Sequence, residues 1–218
     1  MQQQTNMTNM QQKQTTGNLR TSDQVGPQQN HGGHELFDAH EVISCLTGTI
    51  DQYVMYRQYV KDQELLNIMD RQQSFITNQY NRVVETLSTG QKPSIQATTY
   101  NMNQTHDVTY GLKPSQPKKP AQTVSDITEE CVSSLLASAV KSVCTGTTMA
   151  ALETTNPVLR RVFADSIPNF IELGYELFLY QNKHHYYQVP QLSMQDQTQM
   201  MQSYAPIQTA QMNQNMMQ

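Results

Sequence analysis

Carboxylates and histidines are the residues whose spacing could build a metal centre in this 218-residue chain. A dimetal carboxylate site in a four-helix bundle takes a glutamate from each of two helices and a Glu-x-x-His motif from each of the other two. The sequence contains no Glu-x-x-His. The central inward positions of the first three helical stretches carry Thr47, Gln72 and Ser138, and the central acids of the fourth, Glu172 and Glu176, lie beside its apolar stripe. We therefore predict no metal site and interpret both glutamates as part of a solvated helix face.

The six histidines lie at the start of the first helical stretch, in a polar middle segment and at the end of the last helical stretch: His31, His34 and His40; His106; His184 and His185. In an up-down-up-down bundle the first and last groups could meet and share a metal. A bundle with one long crossover would place them at opposite ends. We expect solvated histidines near helix ends rather than a joint site.

The cysteines and two glycines offer no further chemistry. Cys45, Cys131 and Cys144 are far apart and have no Cys-x-x-Cys spacing, which predicts buried, reduced thiols. Gly48 and Gly146 lie in the middle of helical stretches, where glycine costs about 1 kcal/mol relative to alanine, so we expect close helix approach there. There is no Gly-rich phosphate loop and no Ser, His, Asp arrangement. The sequence therefore predicts no catalytic residue, no cofactor and no enzyme.

Composition excludes several classes of protein. The chain is 37% hydrophobic and 15% charged, has no Trp and carries a net charge of -4. Such a sequence cannot form a uniformly packed globule, so part of it is expected to be disordered. It lacks the basic face of a nucleic-acid-binding protein, a continuous apolar run of the ~18 residues that a membrane span needs, and the apolar core of a signal peptide. We expect synthesis in the cytoplasm, no nucleic acid partner and no membrane span.

The elements that must position these residues follow from shifts in composition. Residues 1–32 and 191–218 are Gln-rich and Met-rich with few branched aliphatics, which predicts two disordered tails. Residues 33–88 and 123–190 show helical spacing of apolar residues and are predicted to form two helical hairpins. Residues 89–122 are polar, contain four prolines and are predicted to form a disordered linker.

In the first hairpin, apolar residues recur every three or four positions along both predicted helices. Asp62 is the expected N-cap of the second helix, with Glu64 in its first turn. The predicted core residues are Leu36, Ala39, Ile43, Leu46, Ile50, Tyr53 and Val54 in the first helix, and Leu65, Ile68, Met69, Phe75, Ile76, Tyr80, Val83 and Leu87 in the second.

The second hairpin opens with Asp126 and Glu129 at the spacing of a capping box. Asn156 followed by proline predicts the start of its second helix. Pro168 should kink or break that helix near Ser166. The predicted core residues are Ile127, Val132, Leu135, Leu136, Ala139, Val143 and Ala150, followed by Leu159, Val162, Phe163, Phe170, Leu173, Leu177 and Tyr180.

The two hairpins share a Thr-Gly-Thr tripeptide, at residues 47–49 and 145–147, which suggests duplication of one unit. Four helices with short, long and short connections favour an all-α fold, a ferritin-like four-helix bundle with one long crossover. The alternative is a simple up-down-up-down bundle.

Three stretches resemble the coat F family of endospore-forming Firmicutes, whose members are spore coat proteins with a ferritin-like helical domain: FDAHEVISCLTGTIDQYVMY, VKDQELLNIMD and NPVLRRVFADSIPNFIELGYELFLYQNKHHYYQVPQL. The similarity covers about Leu36 to Leu192, and its most specific parts are Asn156 with Pro157 and the segment 186–190. The resemblance implies a structural domain and carries over no catalytic or metal residues. The long tails depart from the family pattern, so their role does not carry over.

Together these observations predict a non-enzymatic structural component of the spore coat, with other coat proteins as partners and a possible homo-oligomer. Two alternatives stay open: a metal-binding or redox ferritin-like protein, and an adaptor that binds a coat partner through its tails. We also hypothesise that glutamines and lysines of the tails and linker, with Tyr186, Tyr187 and Tyr204, serve as crosslinking handles.

Overall fold

The computed structural model describes residues 31–207, and these form five α-helices, one short 3₁₀ helix (Val124–Asp126) and no strand. Residues 1–30 and 208–218 lie outside the described range, and so do the predictions that fall on them. The all-α class is confirmed. The helices are α1 (Gly33–Arg57), α2 (Gln63–Thr89), α3 (Glu129–Glu153), α4 (Pro157–Lys183) and α5 (Met194–Met201).

Contacts between helix termini establish the topology of the bundle. At one end, which we call the Glu35 end, Glu35 of α1 accepts hydrogen bonds from the turn between α3 and α4, and His31 contacts the Leu87 carbonyl of α2. At the opposite end, the Asp62 end, Lys61 N donates to Glu129 at the start of α3. The linker between α2 and α3 therefore runs the length of the bundle. This is the crossover topology, not the up-down-up-down alternative.

The core is formed by one face of each of the first four helices, as the apolar spacing predicts. The core residues predicted for α2 and α4 are largely confirmed, since Leu65, Ile68, Leu173 and Leu177 are fully buried. The stripe of α1 is rotated by a fraction of a turn, because Val42 and Thr49 face the core. The predicted core residues Leu36 and Val54 are instead 39% and 59% exposed, and Leu135 of α3 is 39% exposed.

Two of the three predicted helix caps are present. Asp62 Oδ1 accepts hydrogen bonds from the second and third backbone N–H groups of α2, and Asn156 does the same for α4. The predicted box of Asp126 with Glu129 is wrong. Thr128 caps α3, whereas the Asp126 carboxylate accepts a hydrogen bond from Thr123 N at the start of the preceding 3₁₀ helix.

Helix α4 continues through Pro168 without a break. Pro168 itself is exposed, so its ring lies on the solvent side of the helix and not in the core. Two residues before it, Ser166 is buried and donates to the Phe163 carbonyl. The predicted break is therefore wrong.

The linker is not the free segment that its composition predicts. It lies along the groove between α2 and α4 and meets α4 in parallel order, with Tyr100 N donating to Asn169 and Thr109 N donating to Asn182. Tyr100 is only 7% exposed. At the Asp62 end, Gly111 N donates to the Val189 carbonyl in a parallel bridge. Disorder was the wrong prediction because one aromatic ring and several backbone donors find partners on the bundle.

The two mid-helix glycines do not mark close helix approach. A Cβ atom built on Gly48 or Gly146 would meet nothing within 4 Å. The Thr-Gly-Thr tripeptides do have equivalent placements, since Thr49 and Thr147 are both buried whereas Thr47 and Thr145 are exposed. Part of the C-terminal tail also departs from prediction, because residues 194–201 form the exposed helix α5.

Helix α3 is long and apolar enough to cross a membrane, by length and composition only, although its sequence contains no continuous apolar run of that length. One such helix is a weak indication, because the core helix of a soluble bundle passes the same test. Here Val132, Leu136 and Val143 of α3 are buried in the bundle, and Ser138 and Lys141 face outward.

Candidate functional site

A buried polar cluster lies at the centre of the bundle, around Glu176 of α4. Glu176 is completely buried, so the interpretation of this residue as part of a solvated face is wrong. Its neighbour Glu172, one turn earlier, is only half-buried. The cause is position: Glu176 lies three residues after Leu173 and four before Tyr180, both core residues, so it shares their face of α4.

The Glu176 carboxylate accepts hydrogen bonds from four donors. Arg71 Nη2 lies 2.7 Å from Oε1, and the backbone N of Asn103 lies 3.2 Å from the same oxygen. Gln72 Nε2 lies 3.0 Å from Oε2, and the Tyr100 hydroxyl also donates to Oε2. Two donors thus come from α2 and two from the linker. The carboxylate is fully satisfied and paired with one cation.

Gln72 extends the cluster across the bundle. Its side-chain oxygen accepts from the Tyr53 hydroxyl of α1, and its amide also donates to the Leu173 carbonyl at 3.0 Å. Gln72 therefore occupies the inward position that its spacing predicts. Thr47 and Ser138 do not, since both are exposed and donate to carbonyls of their own helices.

Burial and charge decide the protonation states in this cluster. Burial raises the pKa of the Tyr100 phenol, and the hydrogen bond to the negative Glu176 raises it further. Burial likewise raises the pKa of Tyr53 well above its ordinary value. Burial alone would lower the pKa of Arg71, but its pairing with Glu176 raises it overall. Both phenols therefore stay protonated and the arginine stays charged near neutral pH.

The cluster has the chemistry of a structural anchor. It contains one carboxylate and one guanidinium, whereas a dimetal site in this topology would need several carboxylates and histidines. The Tyr100 ring packs edge-on against Phe75 at 5.6 Å between centroids, and Phe75 packs in the same way on Phe170 at 6.2 Å. Polar and aromatic contacts together hold the linker between α2 and α4.

A second buried carboxylate, Glu35, organises one end of the bundle. It accepts from Thr155 N and Oγ1 and from Asn156 N, and it pairs with His31. Burial raises the pKa of Glu35, but the hydrogen bonds from Thr155, His31 and Asn156 lower it more, so that it lies below its ordinary value. Sequence reasoning missed Glu35, although its placement one turn before the core residue Ala39 was a usable signal.

The histidines do not form a joint site. His31, His34 and His40 lie at the Glu35 end, and His184 and His185 lie at the Asp62 end, as expected for a crossover bundle. The His184 ring stacks on Tyr186 at 5.5 Å between centroids and lies tilted against Tyr180 at 4.4 Å. His106 of the linker stacks on Tyr175.

One group of side chains within residues 31–207 could hold a metal ion: His34, Asp38 and Glu153, whose ligand atoms all lie within 4.8 Å of one another. His34 Nδ1 is 2.7 Å from Glu153 Oε2 and 3.2 Å from Asp38 Oδ2. The group borders a groove between α1 and α3 with a volume of about 460 Å³. Sequence analysis missed it because Glu153 comes from a helix whose position relative to α1 only the fold reveals.

The three cysteines are free and half-buried rather than fully buried. Burial raises the pKa of the Cys45 and Cys144 thiols above the ordinary value, although a neighbouring threonine hydroxyl lowers it slightly in each case. These thiols are therefore poor nucleophiles near neutral pH.

Two comparisons with known sequences agree on one family. A sequence model of the Coat F domain matches residues 128–190, which span α3, α4 and the segment after them. The chain is 51% identical over 177 residues to the spore coat protein F-like protein YhcQ of Bacillus subtilis (strain 168), covering 81% of this chain and 82% of that protein. A crystal structure of a protein from Bacillus halodurans C-125, provisionally assigned to the spore coat, matches with a TM-score of 0.54 at 16% identity. It covers 74% of this chain and 94% of that one, and this likeness concerns the fold alone.

Proposed function

The chain belongs to the coat F family of spore coat proteins, and from this premise we propose that it is a structural component of the endospore coat, without catalysis of its own, that assembles through contacts with other coat proteins. The observation that carries the proposal is the 51% identity with a spore coat protein F-like protein over most of both chains. Synthesis in the cytoplasm of the sporulating cell is part of the same proposal.

The chemistry of the bundle centre supports a structural role. In a dimetal bundle the ligands project from facing helices into the interior, and in this interior the buried Glu176 is already paired with the positive charge of Arg71. A metal or redox centre at this place would have to displace that arginine. The donors around Glu176 instead connect α2, α4 and the linker.

Exposed apolar side chains at the Asp62 end provide a surface for coat contacts. Tyr110, Leu112 and Tyr187 are 60%, 68% and 51% exposed, and the two segments that carry them are joined by the bridge between Tyr110 and Val189. We call these three residues the bridge patch. Large exposed apolar groups on an ordered scaffold are typical of protein interaction sites.

Contacts in the structure make some of the residues in the crosslinking hypothesis less accessible. Lys118 is paired with Glu130 at 2.6 Å and donates to the Tyr186 carbonyl, and Lys113 contacts His185. Tyr186 is half-buried, whereas Tyr187 and Tyr204 are exposed. Tyr187 and Tyr204 remain the better candidates for dityrosine formation, and most of the glutamines invoked lie outside the described range.

The proposal is tested by following a fluorescently tagged full-length chain through sporulation. We expect a ring around the developing spore and recovery of the protein in coat extracts of washed spores. The variant Tyr187→Ser with Leu112→Ser should reduce the recovered fraction without loss of helical circular dichroism, because both side chains are exposed. Val124→Ser, at a 63% exposed apolar residue outside the patch, is the control.

Diffuse fluorescence in the mother cell together with absence from the coat extract would contradict the structural role. Equal recovery of the patch variant and the control would contradict the bridge patch as a contact surface, and would leave localisation to be judged separately.

A further inference from the structure

We propose that His34, Asp38 and Glu153 bind a divalent transition metal ion, such as Zn²⁺, in the groove between α1 and α3. The fold brings the three residues together from distant parts of the sequence. His34 and Asp38 are one turn apart at the start of α1, and Glu153 is the last residue of α3, which runs antiparallel to α1. The proposal concerns this end of the bundle and does not depend on a role in the spore coat.

One histidine nitrogen, Nδ1 of His34, lies close to two carboxylates. Without a cation this group has fewer hydrogen-bond donors than its carboxylate oxygens can accept. Nδ1 of His34 lies within 3.2 Å of both Asp38 and Glu153, yet an imidazole nitrogen has a single in-plane direction for a proton or a lone pair. Oδ2 of Asp38 is a buried atom with no hydrogen-bond partner among residues 31–207, because its 3.2 Å contact with this nitrogen lacks the geometry of a hydrogen bond. A metal ion between the three groups would accept the histidine lone pair and one oxygen from each carboxylate at the same time.

The electrostatics of the groove favour a cation. Glu41 also lines the groove, so three carboxylates border it, and the residues lining it include no Lys or Arg. His34 is the one basic side chain among the lining residues. The buried carboxylates at Glu176 and Glu35 have enough donors, whereas this group does not.

The distances fit coordination after small side-chain movements. Zinc binds histidine nitrogen and carboxylate oxygen at about 2.0–2.2 Å, so two ligand atoms of a tetrahedral site lie roughly 3.3 Å apart. The observed 2.7 and 3.2 Å would open slightly to admit the ion. One imidazole nitrogen and two carboxylate oxygens suit zinc and neighbouring transition metals better than calcium or magnesium, which prefer oxygen ligands alone. Water would fill the remaining position.

Binding would join the first turns of α1 to the last residue of α3. Because an ion that binds the folded state alone stabilises it by mass action, zinc should also raise the unfolding temperature.

The experiment titrates the purified, chelator-treated full chain with Zn²⁺ by calorimetry. We expect one ion per chain. His34→Gln, Asp38→Asn and Glu153→Gln should each weaken binding at least about tenfold. His40→Gln, at an exposed histidine on the same helix, and Glu172→Gln, at a half-buried glutamate of α4, are matched controls that should leave the affinity unchanged.

Substitution with Co²⁺ gives an independent signature of the ligands. The visible spectrum should show nitrogen and oxygen coordination without a thiolate charge-transfer band, because Cys45 is two turns from Asp38 and is not part of the group. No zinc binding, equal binding by the three variants and the controls, or a thiolate band that disappears in Cys45→Ser would each overturn the proposal.

Discussion

Two groups of acidic side chains in this protein differ in how well they are satisfied. The central cluster places Glu176 beyond the reach of water but surrounds it with Arg71, Gln72, Tyr100 and a backbone N–H. The groove group places Asp38 and Glu153 around one histidine nitrogen at the edge of the bundle. The first carboxylate has one donor for each lone-pair direction, and the second group has fewer donors than acceptors.

This difference distinguishes a group that stabilises the fold from a group that can bind a ligand. A buried carboxylate with all its donors in place contributes to one defined arrangement of helices and has nothing left to offer a ligand. A partly open group short of donors costs the fold little and can still accept a cation. The same residue type therefore indicates an anchor in one region and a candidate site in the other, and the substitutions below test that division.

The largest effect is expected at the centre of the anchor. Glu176→Gln removes the charge opposite Arg71 and an acceptor of the Tyr100 hydroxyl, which should lower the free energy of unfolding by about 3 to 5 kcal/mol. Urea denaturation at neutral pH measures the loss. Glu172→Gln, the same change one turn earlier at a half-buried position, should be nearly silent. Equal effects of the two substitutions would show that Glu176 is not an anchor.

Apolar core positions should be almost as sensitive as the anchor. Leu173→Ala and Leu46→Ala remove fully buried methyl groups and should each cost about 2 to 5 kcal/mol. Leu152→Ala, at a leucine that is 78% exposed, is the matched control in the same denaturation experiment. A small effect at Leu173 would mean that the α3–α4 core tolerates cavities, contrary to the packing described.

The linker should detach more easily when the anchor loses one donor. Tyr100→Phe keeps the ring against Phe75 but removes the hydroxyl that donates to Glu176, at a cost of about 1.5 to 3 kcal/mol. Limited proteolysis should then cut within residues 89–122 faster than in the wild type. Unchanged cleavage would indicate that the ring alone holds the linker. Tyr110→Phe, at an exposed tyrosine of the same linker, serves as control.

Acid should weaken the contribution of Glu35. Because the folded state lowers the pKa of this carboxyl, its stabilisation is fully present above the ordinary glutamate pKa of about 4.3 and is lost as pH falls through the folded pKa. The difference in unfolding free energy between wild type and Glu35→Gln should therefore be largest at neutral pH and shrink below about pH 4. A difference that grows on acidification would contradict this assignment.

The smallest effect is expected in the groove. In metal-free protein Asp38→Asn should change the unfolding free energy by less than about 1 kcal/mol, because the ion pairs there are partly exposed. Thermal unfolding with and without chelator measures it. A loss as large as that of Glu176→Gln would show that the group is a structural element and would remove the contrast between the two regions.

Local features of the sequence predict most of the secondary structure. Asp62 and Asn156 cap their helices, and Leu65, Ile68 and Leu173 are core residues, because caps and apolar periodicity act over a few neighbouring residues. Errors occur where two local signals compete. Asp126 and Thr128 lie two positions apart and are both residue types that commonly cap helices. In the structure Thr128 caps α3, whereas Asp126 belongs to the preceding 3₁₀ helix.

The sequence by itself determined the all-α class, the two hairpins and the resemblance to the coat F family, because each depends on composition, spacing or motif. It favoured the long crossover but left the up-down-up-down bundle open, and contacts at the helix termini decided between the two. Only the tertiary structure decided the roles of the polar residues. Glu176 is an anchor because Arg71 and the linker reach it, and Asp38 belongs to a candidate metal site because α3 ends beside α1. The physical reason is that a buried carboxylate needs hydrogen-bond donors, and in this protein they come from distant parts of the chain. A local sequence pattern does not indicate which distant donors will lie beside it in the fold.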